Sequence, residues 1–564
     1  MRHSILATGT VIAALTCVGS ASGQQGERLL ERVTPQGTEL VREYSTSDTT
    51  SIWSPGIAPL GTPPGLDWHY PNPPGQPWIS ATVAVGQRST QVIAGQDLNY
   101  KRAQLFSVYD GDPPAPIWED TSLAAPITVY EVDSSQTGDY HVLLYTSDYA
   151  TSGFTHAVNM YRSGSPVPAW TWTSPFSDTG AVRVAIDRAP TVVAIGVHEM
   201  GAGLLHLFFL DPGTGSQIAT YSQSTPAGVR GFDLSADGST LYFHDGATDC
   251  YIFDIASQSV IFTAYIGASL DGHAISGDGK KFAFGKFYSI RVYEYVGGTW
   301  QYFQYGLGGG RYGDEMDFSD DGTTLGFTAT QFSPNYGQTD IYMMDVATQS
   351  ITAHVVNLSN GVKQDVCTAA AISHDGRYFA AGRWGDAQNA NPEVQLLENG
   401  VGLIGTIDTR GSVFDADISW DGLVTVASGK AIHANDFGNG GDVYCYHRGG
   451  AEMDLAGSPI IGQVIRLDMY TNPNWYFIPL LGIADQPEGW ATFPFGTLFL
   501  DPTQGLWLLP MVPADPSGLA SLSSALPDDP GLVGATVFLQ AVSFPFDRSV
   551  LQLTNNYVTL TVLP

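Results

Sequence analysis

Between residues 234 and 422 one pattern of polar and apolar positions recurs five times: an apolar residue, Ser, any residue, then Asp-Gly. The copies are Leu234-Ser-Ala-Asp-Gly238, Ile275-Ser-Gly-Asp-Gly279, Phe318-Ser-Asp-Asp-Gly322, Ile372-Ser-His-Asp-Gly376 and Ile418-Ser-Trp-Asp-Gly422. Asp-Gly supplies the positive φ that a tight hairpin needs, and apolar residues flank each copy. The strand predicted after each turn is apolar and aromatic, as in Thr240-Leu-Tyr-Phe and Lys281-Phe-Ala-Phe. A third strand follows (Cys250-Tyr-Ile-Phe-Asp254), then a loop such as Ala347-Thr-Gln-Ser350, then a fourth strand (Ile351-Thr-Ala-His).

The glycines of successive copies lie 41, 43, 54 and 46 residues apart. Self-similarity at that period, with four strands per repeat, predicts the blades of a β-propeller. Upstream the rhythm persists with weaker turns: 83–119, 127–174 and 182–222 each offer several strand-like runs, and Gly138 and Ala189-Pro190 fall near the expected first hairpins. The expected fold is all-β, with eight blades favoured over 78–449. Seven blades is the alternative, because the last unit lacks an obvious fourth strand; an upstream strand would then close the ring.

In these repeats the chain resembles the broad superfamily of tryptophan-aspartate-repeat and related bacterial propellers. Residues 318–352, with Phe318-Ser-Asp-Asp-Gly322 and Asp340-Ile-Tyr-Met-Met-Asp345, look like repeats of the periplasmic Tol-associated propeller. Phe253-Asp254 and Met344-Asp345 stand where a Trp-Asp dipeptide would end a repeat, so the resemblance implies architecture alone.

The flanks differ. Residues 24–77 predict a polar segment and a Pro/Gly-rich extended linker, and 450–458 a second polar, glycine-rich boundary. From 459 the Asp-Gly repeat ceases. Strand-like runs at 462–469, 475–482, 497–501, 505–511, 535–544 and 558–563 predict a small β-sandwich-like module over 459–564. Gly457-Ser-Pro-Ile-Ile-Gly462, Gly534-Ala-Thr-Val-Phe-Leu-Gln-Ala541 and Leu553-Thr-Asn555 resemble a C-terminal module of secreted proteins of planctomycete-like bacteria, which implies an exported, appended domain.

Composition agrees with many short strands: 43% of the 564 residues are hydrophobic and only 14% charged, with 64 Gly and 34 Pro. Acidic residues number 55 against 24 Lys plus Arg, a net charge of −31. That field repels phosphate backbones and anionic lipid, which argues against nucleic-acid and membrane-surface partners. At the N-terminus Arg2 and His3 precede an apolar run, 5–18, and Ala21-Ser22-Gly23, so 1–23 predicts a signal peptide and an exported chain, periplasmic, cell-surface or secreted. No other stretch predicts a transmembrane segment. Cleavage would leave Cys250, Cys367 and Cys445, whose default reading is buried and inert.

Linear catalytic signatures are missing from the mature sequence: there is no GxSxG elbow and no P-loop. His198-Glu199 opens like a zinc-protease motif, but position 202 is Ala and His206 comes too late. No cofactor is firmly implied, with calcium the candidate cation. Asp317, Asp320 and Asp321 read as turn structure, whereas the loop from Asp436 to Asp442 offers Asp436, Asn439 and Asp442 as candidate oxygen ligands. Two positions before each repeat Ser stand Asp233, Ala274, Asp317, Ala371 and Asp417, with His273 beside the second. Innermost propeller strands line the channel, so Asp233, His273, Asp317 and Asp417 are candidate ligand-binding residues at its mouth. The competing reading, that these aspartates accept hydrogen bonds from neighbouring backbone amides and hold the blades together, takes precedence. Trp170-Thr-Trp172 and Trp300-Gln-Tyr-Phe303 could stack on sugars, but strand aromatics more often pack between blades.

The function expected is therefore an exported noncatalytic binding or scaffold protein for a protein or polysaccharide ligand. The alternative is a propeller enzyme, a lyase, glycosidase or lactonase, using His273 with Asp233 and Asp317.

Overall fold

The computed structural model describes residues 25–34, 37–46, 66–71, 78–86 and, with short interruptions, 91–563. The chain divides into two compact units, one of residues 1–85 with 91–446 and one of 86–90 with 447–564. Among the described residues there is no α-helix.

The first unit contains eight four-stranded antiparallel sheets among its described residues, an all-β, propeller-like architecture. Sheets 1 to 7 follow one another along the chain, at 78–120, 127–173, 179–224, 232–265, 273–306, 311–358 and 367–407. Sheet 8 takes three strands from 413–447 and its fourth from Leu66–Tyr70, which pairs with Gly441–His447. The Pro/Gly-rich segment expected as a linker thus contains a strand, and it supplies the one that the last repeat lacked. A separate hairpin pairs Gln25–Thr34 with Gly37–Thr46.

Burial explains the pattern of the repeats. Second strands such as Thr240–His244 and Tyr378–Arg383 are buried along their whole length and are apolar apart from Thr240, His244 and Arg383 at their ends. Fourth strands such as Thr299–Gly306 are largely exposed and carry polar residues between their aromatics. An apolar cluster lies between each sheet and the next, and another joins the eighth to the first. In that last cluster Trp68, Val83, Val92 and Phe106 meet Val424, Val426 and Val443. Each such large side chain contributes about 1.5–3 kcal/mol through burial.

The Ser-x-Asp-Gly motif has a specific hydrogen-bond economy. In sheet 4 the Ser235 hydroxyl donates to Asp237 Oδ1 at 2.7 Å and accepts from Thr240 N–H at 3.0 Å, while Asp237 Oδ1 also accepts from Ser239 N–H. The same set recurs around Ser276, Ser319 and Ser373. Gly376 sits at φ 67°, and a Cβ there would fall 2.5 Å from Thr324 Oγ1 of the preceding sheet, so the turn needs glycine for conformation and for space. Upstream, Ser135 and Asp187 stand at the serine position of the first hairpins of sheets 2 and 3.

The second unit has a three-stranded sheet (Glu452–Ala456, Val464–Tyr470, Leu519–Ala525) and a six-stranded sheet centred on Tyr476–Gly482 and Thr536–Phe544. Met453, Leu467 and Met469 of the first pack with Phe477, Leu539 and Leu560 of the second around one apolar core, in the manner of a sandwich. Glu452–Ala456 lies inside the stretch expected as a boundary, and Asp485–Ala491 and Leu519–Ala525 are strands whose polar content hid them.

Candidate functional site

The aspartates singled out in the sequence occupy one level of the first strands. At that level sheets 2, 4, 6 and 8 carry Asp133, Asp233, Asp317 and Asp417, and sheets 1, 3, 5 and 7 carry Ala84, Ala185, Ala274 and Ala371. Each carboxylate reaches the next sheet. Asp133 Oδ2 accepts from Ile186 N–H at 3.0 Å, Asp233 from Ile275 at 3.1 Å, Asp317 from Ile372 at 2.9 Å and Asp417 from Val85 at 2.9 Å. The other oxygen accepts from the residue's own neighbour, Ser134, Phe318 or Ile418, at 2.7–2.8 Å, and Asp233 bonds likewise to the Leu234 amide.

A first strand has no partner on its inner edge, so its amides there need other acceptors. One carboxylate has two oxygens and serves two such amides, its own and the next sheet's. Four aspartates therefore satisfy all eight sheets at this level, and alanine fills the alternate positions, where a further carboxylate would find no amide left.

The aspartates are half-buried and feel one another. Burial pushes Asp233 up to about 6, Asp133 and Asp317 to about 7 and Asp417 to about 8; the charge of Asp233 adds to the rise at both Asp133 and Asp317. Two further carboxylates lie two residues upstream. Glu131, raised to about 7 chiefly by burial, accepts from Val184 N–H at 2.9 Å. Asp415, also raised by burial, accepts from Val83 N–H and the Thr82 hydroxyl.

His273 is committed in a similar way. Its Nε2 accepts from Phe232 N–H at 2.9 Å, which places the ring proton on Nδ1, and the ring stacks on Tyr242 at 5.5 Å.

The second residues of the first-hairpin turns cluster at one end of these strands. Gln136 N–H donates to Arg188 O, Ala236 to Gly277 O, Asp320 to His374 O and His374 to Trp420 O, all at 2.9–3.0 Å. Arg188 forms an ion pair with Asp320, and its charge opposes the rise at Asp133, Asp233 and Asp317. His374 lies flat on Trp420.

Among the candidate metal ligands, Asp436 and Asn439 lie outside the described residues. Asp442 is buried with both oxygens engaged: Arg410 reaches Oδ2 at 2.5 Å and Oδ1 at 2.6 Å, and His69 Nε2 and the Tyr444 hydroxyl bond Oδ2 at 2.9 Å. Burial alone would raise its pKa, but His69 and Arg410 hold it well below the usual carboxylate range. Asp321 accepts from Ser319, Thr323 N–H and the Thr323 hydroxyl, a turn role. Among the described residues no group of three or more His, Cys, Asp or Glu stands close enough to hold a metal ion. No described helix is long and apolar enough to cross a membrane.

The remaining candidates have structural surroundings. Trp170 donates to Pro212 O and Trp300 packs on Phe262 and Phe282, both between sheets. Cys250, Cys367 and Cys445 are buried thiols outside any disulfide among the described residues, with burial pushing the Cys250 thiol up to about 12. Sequence reasoning passed over one relay: Glu199 Oε2 meets His206 Nε2 at 3.0 Å, and His206 Nδ1 meets Ser222 Oγ at 2.7 Å, across three strands of sheet 3. It joins residues of different strands, so no linear spacing signals it. A scan against protein-family models matches none, and a search of curated proteins finds no match.

Proposed function

We propose that residues 66–447 form an eight-bladed β-propeller, closed by Leu66–Tyr70, that serves an exported chain as a noncatalytic binding scaffold. Closure is supported by the apolar cluster and the Asp415 and Asp417 hydrogen bonds between sheets 8 and 1. The observation that carries the function is the engagement of the central carboxylates. Both oxygens of Asp133, Asp317 and Asp417 are spent on backbone amides, as is Nε2 of His273. General acid–base work would need a carboxylate or imidazole free to exchange a proton with substrate. In this reading the first-hairpin turns plug one end of the channel, with Arg188 and Asp320 across it, and ligands are met at the other end. The C-terminal unit is an accessory module for attachment or recognition.

The experiment is a screen of the chain against polysaccharides and cell-wall fractions, with calcium and with chelator, recording retention and released products. Retention without products is expected. Released products would overturn the reading, and loss of retention in chelator would show that binding depends on a divalent cation.

A second reading, an enzyme for small esters, is favoured by the Glu199–His206–Ser222 relay, which has the bond lengths of a serine–histidine–carboxylate triad. All three residues are neighbours on regular strands, where such polar pairing also arises without chemistry. Ester hydrolysis that disappears in Ser222→Ala would decide for it.

A further inference from the structure

Strand alternation sends the hairpin between second and third strands to the unplugged end. In sheet 5 that hairpin is the two-residue turn Phe287-Tyr288, between the paired Lys286 and Ser289. Tyr288 adopts φ 68°, a left-handed conformation that glycine tolerates and a bulky aromatic residue rarely takes. Gln258, Gln349 and Arg548 share the sign of φ, but none of them carries a ring. Tyr288 N–H donates to Arg311 O at 2.7 Å and its carbonyl accepts from Leu307 N–H at 2.8 Å, so the turn is pinned against sheet 6. Tyr288 nonetheless stays 55% exposed, so folding gains little from a side chain whose Cβ carries the strain.

Three rings support it from below. Phe332 lies 5.4 Å from Tyr288 and Phe287 5.1 Å from Phe332, both edge-to-face, and Tyr312 stands 6.1 Å from Phe332. The neighbouring loop is glycine: Gly308, Gly309 and Gly310 all have positive φ, Gly310 O accepts from Phe332 N–H, a Cβ at Gly308 would meet nothing within 4 Å, and the Arg311 guanidinium, paired with Asp340, lies beside Gly309. Gln331 and the exposed Ser333 flank Phe332.

We propose that Tyr288, backed by Phe332, forms a stacking platform for a sugar ring of a neutral polysaccharide at the open end of the propeller. The inference rests on the binding-scaffold reading and names its ligand class. A flat exposed ring beside amide and hydroxyl groups matches the apolar face and hydroxyl rim of a pyranose. A protein partner would call for a contiguous apolar patch in place of this glycine and polar border. The net charge of −31 disfavours acidic glycans.

The test is native affinity electrophoresis of the full chain in gels containing a mixed-linkage β-glucan, a galactomannan or an arabinoxylan, with polygalacturonate and chitosan as charged counterparts. At least one neutral polymer should retard the wild type. Tyr288→Gly should bind it about tenfold more weakly, with a melting temperature unchanged or raised by about 1–2 °C because the strain is relieved. Phe332→Ala should weaken retardation in the same gel. Equal retardation of Tyr288→Gly and wild type would overturn the platform, as would a clear fall in the variant's melting temperature, which would make the ring a packing element. Binding only to polygalacturonate, chitosan or cell-wall fractions would overturn the sugar class and leave the scaffold reading standing; no binding to anything would remove both.

Discussion

The junctions between successive sheets fall into two sets. Junctions 2–3, 4–5, 6–7 and 8–1 are bridged by an aspartate that spans from one first strand to the next. At the same level junctions 1–2, 3–4, 5–6 and 7–8 have alanine, and their polar links are of other kinds: Thr82 Oγ1 accepting from Val132 N–H, Arg183 Nε donating to Arg230 O, Tyr288 N–H donating to Arg311 O, and the Thr368 hydroxyl donating to Val413 O. Apolar clusters occupy both sets alike. Adhesion between sheets is therefore general and hydrophobic. The carboxylates do a narrower job, satisfying inner-edge amides two at a time, and two oxygens per side chain is the physical origin of the Asp/Ala alternation.

The largest expected effect comes from removing one bridge. Asp317→Ala strips the acceptor from both Phe318 and Ile372 amides and should cost about 2–4 kcal/mol of the first unit's stability. Thr368→Val, at a junction of the other set, should cost about 1 kcal/mol or less. Calorimetric or urea unfolding of the two variants checks the contrast, and equal losses would dissolve it.

A smaller effect is the pH dependence. The four bridging aspartates hold their protons more tightly folded, near 6 to 8, than unfolded, near the ordinary aspartate value of 3.8. The folded state thus binds more protons at these sites between those limits, so their contribution to stability is greatest at the acid side and is lost as pH rises through 6 to 8, while the buried neutral imidazoles of His141 and His156 act in the opposite sense as pH falls below 6.5. The melting temperature should be higher at pH 5 than at pH 8, and Asp417→Asn should flatten the slope; an unchanged slope would assign the dependence to surface charge.

The turns were legible because their chemistry is local: Ser, Asp and Gly of one motif bond to residues within five positions. The bridging level was half legible. Five repeats displayed Asp233, Ala274, Asp317, Ala371 and Asp417 in alternation, but the upstream turns around Ser135 and Asp187 lack the full motif and hid Asp133, Ala84 and Ala185. What no repeat could reveal is the partner, since each carboxylate meets an amide 42, 55 or 332 residues away. Leu66–Tyr70 was masked by its Pro/Gly-rich surroundings, because a five-residue edge strand needs little pattern of its own. Tyr288 escaped notice because nothing in Lys-Phe-Tyr-Ser marks a left-handed turn without glycine.

The two-amides-per-carboxylate account is tested most directly by hydrogen exchange in Asp317→Ala, followed by mass spectrometry on peptides covering the eight inner-edge amides. The account predicts a rise in exchange at the peptides containing Phe318 and Ile372 well beyond the common rise, set by the variant's lower global stability, that Val85, Ser134, Ile186, Leu234, Ile275 and Ile418 share. Unchanged exchange at Phe318 and Ile372, or faster exchange spread evenly over all eight, would contradict it.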